Sequence, residues 1–200
     1  MDDLASWFLV NYDEVLGTVV ALVYLFFSIK QNIWLWPLGL VSSAIYAYVF
    51  FRAKVYAGMG LQIYFVLMSV YGWIIWLNGK GEENELKSVK SVVSEPKLIL
   101  KLIIWSVLLF IILIQILLHQ TDSDIPYFDA YITSLSIVAT WMLAKKYVEH
   151  WMVWILADSV AVGVYLSKNL YFTVILYSVY TIMAYIGYKT WKKDLIGEIS

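Results

Sequence analysis

Of the carboxylates in this chain, Asp158 alone lies well inside a long apolar run, and Trp151, Trp154 and Asp158 follow one another at i, i+3 and i+7. At 100° per helical residue the three point within about 60° of one another, so two indoles and a carboxylate share a face. A flat cationic ring suits such a face. Indoles attract cations by about 2 kcal/mol once desolvated, and the carboxylate supplies the counter-charge. No Lys, Arg or His lies at comparable depth to pair with Asp158. The carboxyl is therefore either protonated in the empty protein or answered by water, a polar side chain or a substrate cation. Plainer readings stay open: Trp151, close to Lys145 and Lys146, also fits an interfacial aromatic belt, and Asp158 a structural hydrogen-bonding role.

The elements that carry these residues follow from composition. The 200-residue chain is 62% hydrophobic and 14% charged, with a mean hydropathy of +0.75. Soluble domains run at about 45–50% apolar and about 25% charged, so this chain has too little polar surface to cover a core in water. A net charge of −1 without a basic patch excludes a nucleic-acid binder, and the apolar content excludes a disordered chain. With no cysteine there are no disulfides, no thiol catalysis, no iron–sulfur cluster and no cysteine-ligated zinc. The acidic Met1–Asp2–Asp3 start lacks the basic region of a cleaved signal peptide. The composition is that of an all-α polytopic membrane protein.

Apolar runs at 13–30, 33–51, 56–77, 98–119, 127–144, 149–166 and 170–189 give seven spans, each near the 20 residues that cross a bilayer. They are continuously apolar rather than alternating, which excludes barrel strands. Asp158 then lies nine residues into the sixth span, roughly 13 Å deep at 1.5 Å per residue. An N-out, C-in orientation puts eleven of the fourteen basic residues on the inner side and leaves only Arg52, Lys54 and Lys168 outside.

A shift of 115 residues superimposes Lys30 on Lys145, Trp36 on Trp151, Leu61 on Leu176, Gly72 on Gly187 and Trp76 on Trp191 without a gap. The chain is thus expected to hold a first three-helix repeat over 13–77, a charged linker over 78–97, a connector helix over 98–119 and a second repeat over 127–191. Three spans per repeat plus one connector make the repeats parallel, as in SWEET sugar transporters, with the substrate site between them near the midplane. At this offset Trp154 corresponds to Gly39 and Asp158 to Ser43, which predicts bulk and charge from span six and room from span two. Trp36 and Pro37, with Gly39 and Ser43, read as a gate or pocket edge, or simply as a helix start. Gln62, Tyr177, Tyr180 and Asn32 complete the candidate site, helix–helix hydrogen bonding being their plainer role. His150, beside Glu149, is expected to be solvated.

No phosphate-binding loop argues for ATP-driven pumping, and no H-E-x-x-H, G-x-S-x-G or aspartate pair argues for an intramembrane enzyme. Lys189 is too near the end of span seven to serve as the Schiff-base lysine of a photoreceptor. No cofactor or metal is expected. A transporter, or failing that a structural membrane protein, remains.

The segment from Gln31 to Gly39 (QNIWLWPLG), the Tyr71–Trp76 closure (YGWIIW) and the W-x-x-W-x-x-x-D run from Trp151 to Asp158 resemble the PnuC family of bacterial vitamin transporters over all seven spans. The resemblance implies a homotrimer in the bacterial cytoplasmic membrane that takes up nicotinamide riboside by facilitated diffusion, with a cytoplasmic kinase trapping the product. It also implies that Trp151, Trp154 and Asp158 belong to the substrate site. Asp158 stands where some members carry Asn, and both the pyridinium of nicotinamide riboside and the thiazolium of thiamine suit a carboxylate. Thiamine transport and proton-coupled import through Asp158 are the alternatives.

Overall fold

The computed structural model describes residues 12–52, 56–78, 88–121, 123–169 and 171–197. The described residues form seven α-helices: α1 (Tyr12–Ile29), α2 (Leu35–Arg52), α3 (Tyr56–Asn78), α4 (Pro96–Gln120), α5 (Pro126–Ala144), α6 (His150–Ser167) and α7 (Tyr171–Gly197). Their ends fall within two residues of the apolar runs everywhere but one: α7 continues to Gly197, eight residues past 189, carrying Lys192, Lys193 and Asp194 on extra helical turns. By length and apolarity alone, three stretches among the described residues qualify as spans, Met59–Asn78, Pro96–Gln120 and His150–Ser167, and Thr18–Ile29 is a shorter apolar one.

Local chemistry sets the helix starts. Pro96 and Pro126 open α4 and α5, where a missing amide hydrogen costs nothing. Gln31 and Lys146, 115 residues apart, both turn through the left-handed region at φ 50° and 59°. The same backbone bonds surround each turn. The Gln31 amide donates to the Ser28 carbonyl and the Asn32 amide to Phe27; 115 residues on, Lys146 donates to Leu143 and Tyr147 to Met142. Leu35 and Trp36 then close on Asn32 and Ile33 as His150 and Trp151 close on Tyr147 and Val148.

The buried core sits at one end of the bundle and is built on four tryptophans. Trp36 lies edge-on to Trp76 at 5.4 Å and 89°, and Trp151 edge-on to Trp191 at 6.0 Å and 85°. Two glycines make room for them: a Cβ on Gly72 would come within 2.3 Å of the Trp36 ring, and one on Gly187 within 2.6 Å of the Trp151 ring. Indole N–H groups fasten distant helices, Trp76 donating to the Ala144 carbonyl and Trp191 to the Ser28 carbonyl, both at 3.1 Å. Around this layer Gln31 donates to Asp194 at 2.7 Å and Lys146 donates to Gln31 at 3.4 Å.

His150 corrects an expectation. It is fully buried rather than solvated, its ring 4.5 Å from Trp151 and 4.7 Å from Trp191. Its Nδ1 hydrogen-bonds the Tyr147 carbonyl at 2.7 Å, while Nε2 has no partner. The turn that starts α6 folds the ring inward, which residue type and neighbours alone do not reveal.

α4 is peripheral. Only Ile114 along it is buried, and it packs on α5 and on a 3₁₀ turn at Val92–Ser94. Residues 88–95 dock onto the α5–α6 loop. The Lys90 amide donates to the Lys146 carbonyl at 2.9 Å and the Val148 amide to the Lys90 carbonyl at 2.8 Å. Glu149 accepts from the Ser91 hydroxyl and from the Val92 amide, and the Tyr147 hydroxyl donates to Glu95 at 3.0 Å. Burial and then the Glu95 carboxylate push the Tyr147 phenol up to about 12. The linker charges at Lys80, Glu82, Glu83, Glu85 and Lys87 lie outside the described residues.

Candidate functional site

A cavity of about 470 Å³ borders the tryptophan layer between the two groups of three helices, within the about 300–1,000 Å³ common for small-molecule sites. α2 contributes more of its wall than any other helix, with Trp36, Gly39, Ser42, Ser43 and Tyr46 on successive turns. Thr18 and Tyr24 of α1 and Phe65 and Ser69 of α3 stand beside them; Thr140, Trp154, Leu176 and Tyr180 face them from α5, α6 and α7. A Cβ on Gly39 would lie 3.1 Å from both the Ser69 hydroxyl and the Tyr24 ring, so the glycine lets both approach the cavity.

Asp158 is 7% exposed and lies outside the cavity wall. Its carboxylate is within electrostatic reach of the Tyr177 and Tyr180 phenols. Tyr177 stacks on Tyr165 at 5.3 Å and meets Tyr180 edge-on at 5.7 Å. Tyr180 thus belongs both to the cavity wall and to the cluster around the carboxylate.

The structure therefore brings Trp154, Tyr180, Trp36, Gly39 and Ser43 together around one space, with Asp158 and Tyr177 behind Tyr180. It puts Trp151 in the tryptophan layer instead, its ring seated on Gly187. Gln62 is half-buried on α3 away from the wall, and Pro37 lies in the first turn of α2. The Asn32 side chain accepts from the Trp34 amide at 3.0 Å and so stabilises the α1–α2 turn. Sequence reasoning missed Tyr24, Ser42, Tyr46, Phe65, Ser69 and Thr140. Two of these had a signal: continuing from Trp36 and Gly39 by helical steps of three and four reaches Ser42 and Tyr46.

Residues of α1–α3 and of α5–α7 line one cavity, then, with Trp36 of the tryptophan layer in its wall. A family model described as nicotinamide mononucleotide transporter matches residues 11–193 of the chain. The chain belongs to that family. It is a membrane transporter, not an enzyme. The family's relatives include the nicotinamide riboside transporter PnuC of Escherichia coli, 24% identical over 90% of this chain and 85% of its own length. PnuC of Neisseria mucosa is 26% identical over 93% of this chain and 75% of its own. The riboflavin/roseoflavin transporter RibM of Streptomyces davaonensis is 22% identical over 90% and 84%. A crystal structure of the vitamin B3 transporter PnuC shares the fold, with a TM-score of 0.70 at 24% identity, over 96% of this chain and 86% of that one.

Proposed function

We propose that this transporter takes up nicotinamide riboside. The observation that carries the reading is the composition of the cavity. Trp154 and Tyr180 offer aromatic faces to a pyridinium, Asp158 supplies a counter-charge behind Tyr180, and no Lys, Arg or His stands among the described lining residues. A phosphorylated ligand would bring two negative charges to a wall without a cation, against the usual Arg or Lys pairing of phosphates. The dephosphorylated riboside therefore suits the site better than the mononucleotide of the family's description, and it agrees with the names of the PnuC relatives.

Architecture and mechanism extend this reading. The chain is two parallel three-helix repeats, α1–α3 and α5–α7, joined by α4 and lying N-out, C-in in the bacterial cytoplasmic membrane. Support comes from the recurring turn bonds, the paired tryptophan–glycine seats and the contacts of α1 with α7 and of α3 with α5, which exchange under the 115-residue shift. Transport is facilitated diffusion by rocking of the repeats, with phosphorylation by a cytoplasmic kinase preventing return, and the unit is a homotrimer. Trp151 acts here by holding α6 against α7, whereas Trp154 touches substrate.

Purified protein titrated with nicotinamide riboside, its mononucleotide and thiamine, followed by tryptophan fluorescence, tests the substrate. Quenching by the riboside alone is expected. Equal response to the mononucleotide would overturn the charge argument, and response to thiamine alone would change the vitamin.

A further inference from the structure

The hydroxyl groups of the bundle fall into two sets. Ser136, Thr140, Ser178 and Thr181, on α5 and α7, each donate to a backbone carbonyl one turn back, at 2.7–2.9 Å. This is the usual way for an intramembrane hydroxyl to satisfy itself. Ser42, Ser43 and Ser69, on α2 and α3, make no such bond and have no other protein partner among the described residues, although Ser43 is 8% and Ser69 6% exposed. All three line the cavity. Ser43 and Ser69 are buried and Ser42 half-buried, and none of the three oxygens is sealed off from the cavity, so their hydrogen bonds are left to whatever occupies it.

We propose that Ser42, Ser43 and Ser69 form a sugar subsite that fixes the direction in which substrate lies. The inference rests on the riboside reading above and adds its orientation. A polyol end enters against α2 and α3, where each serine both donates and accepts, as vicinal hydroxyls require. The flat cationic end faces Trp154 and Tyr180 on α6 and α7. The 115-residue correspondence explains why the direction is unique: Ser43 stands where the other half has Asp158, Gly39 where it has Trp154, and Ser69 where it has Ala184. Gly39 keeps the serine wall open, since its missing Cβ is what allows Ser69 to reach the cavity. A ligand without the polyol has nothing to offer this wall.

Binding of nicotinamide riboside and of 1-methylnicotinamide, the same cationic ring without its sugar, to the full-length protein separates the two ends. Ser43→Ala and Ser69→Ala should each weaken the riboside about 10-fold and leave the methylated ring within twofold, whereas Trp154→Ala should weaken both. Equal losses for both ligands, or none for either, would overturn the sugar subsite. Failure of the parent protein to bind the riboside would instead overturn the substrate reading and the subsite with it. Because the chain has no cysteine, Ser42→Cys gives a second readout that survives any folding defect in the alanine variants. Saturating riboside should protect the thiol from a maleimide and saturating 1-methylnicotinamide should not; equal protection would count against the orientation.

Discussion

The tryptophan layer and the cavity beside it are built from corresponding helices by opposite rules. In the layer, residues 115 apart are the same: Trp36 and Trp151, Gly72 and Gly187, Trp76 and Trp191. Each pair repeats the other's geometry, down to an indole seated on a glycine and an N–H given to a carbonyl of the other half. One or two turns deeper the correspondence fails, with Gly39 against Trp154, Ser43 against Asp158 and Phe65 against Tyr180. Closing a gate between two similar bodies needs only that each present the same surface to the other. Holding a ligand with unlike ends needs unlike walls. On the proposed reading, the symmetry of the bundle is kept where the two three-helix groups meet each other and lost where they would meet substrate.

Substitutions on the two sides of that boundary should behave differently. The largest effect is expected at the cavity and just behind its wall: Trp154→Ala, or Asp158→Ala behind Tyr180, should lower riboside uptake at least 100-fold while the melting temperature moves little. A collapse in stability instead would make these residues structural and erase the contrast. In the layer, Gly72→Ala and Gly187→Ala should each destabilise by about 3 kcal/mol, because the new Cβ meets a ring held on all sides. Matching losses, read by thermal or denaturant unfolding in detergent, would support equivalence of the halves, and a large disparity would break it. Trp76→Phe and Trp191→Phe remove the indole N–H together with the fused five-membered ring from a buried layer, so about 2 kcal/mol is expected from each. The smallest effect should come from His150→Leu. The corresponding residue, Leu35, is equally buried, and the imidazole carries an unpartnered nitrogen. Stability should stay within about 1 kcal/mol of the parent; a loss of several would mean that the ring does something leucine cannot.

The layer was largely legible in the sequence, because repeated tryptophans and glycines at a fixed offset are visible without coordinates. The seven helices were legible as continuous apolar runs of near-span length separated by short polar breaks, although only three stretches among the described residues qualify by length and apolarity alone. The cavity was only half legible. Trp154 and Gly39 declared themselves by bulk and its absence, but Tyr24 and Ser69 face the space only because Gly39 lets them near, a contact between three helices that no single-helix periodicity encodes. Trp151 shows the converse: it shares a helical face with Trp154, yet one turn of depth separates a core contact from a cavity wall. His150 was misread because a turn, not a helix face, aims it.

The docking of residues 88–95 joins the connector to one side of the molecule. Among the described residues, its hydrogen bonds outside the segment go to Lys146–Glu149 on one side and, through the Glu95 carbonyl, to the Leu98 and Ile99 amides of α4 on the other, and α4 packs on α5 and on this same segment. In mechanical terms the proposed rocking would set a three-helix lever, α1–α3, on a four-helix mount, α4–α7. When the halves move, α4 should ride with α6 at constant distance while α2 swings past both, so paired spin labels on α4 would report which part of the protein stays still in the bilayer.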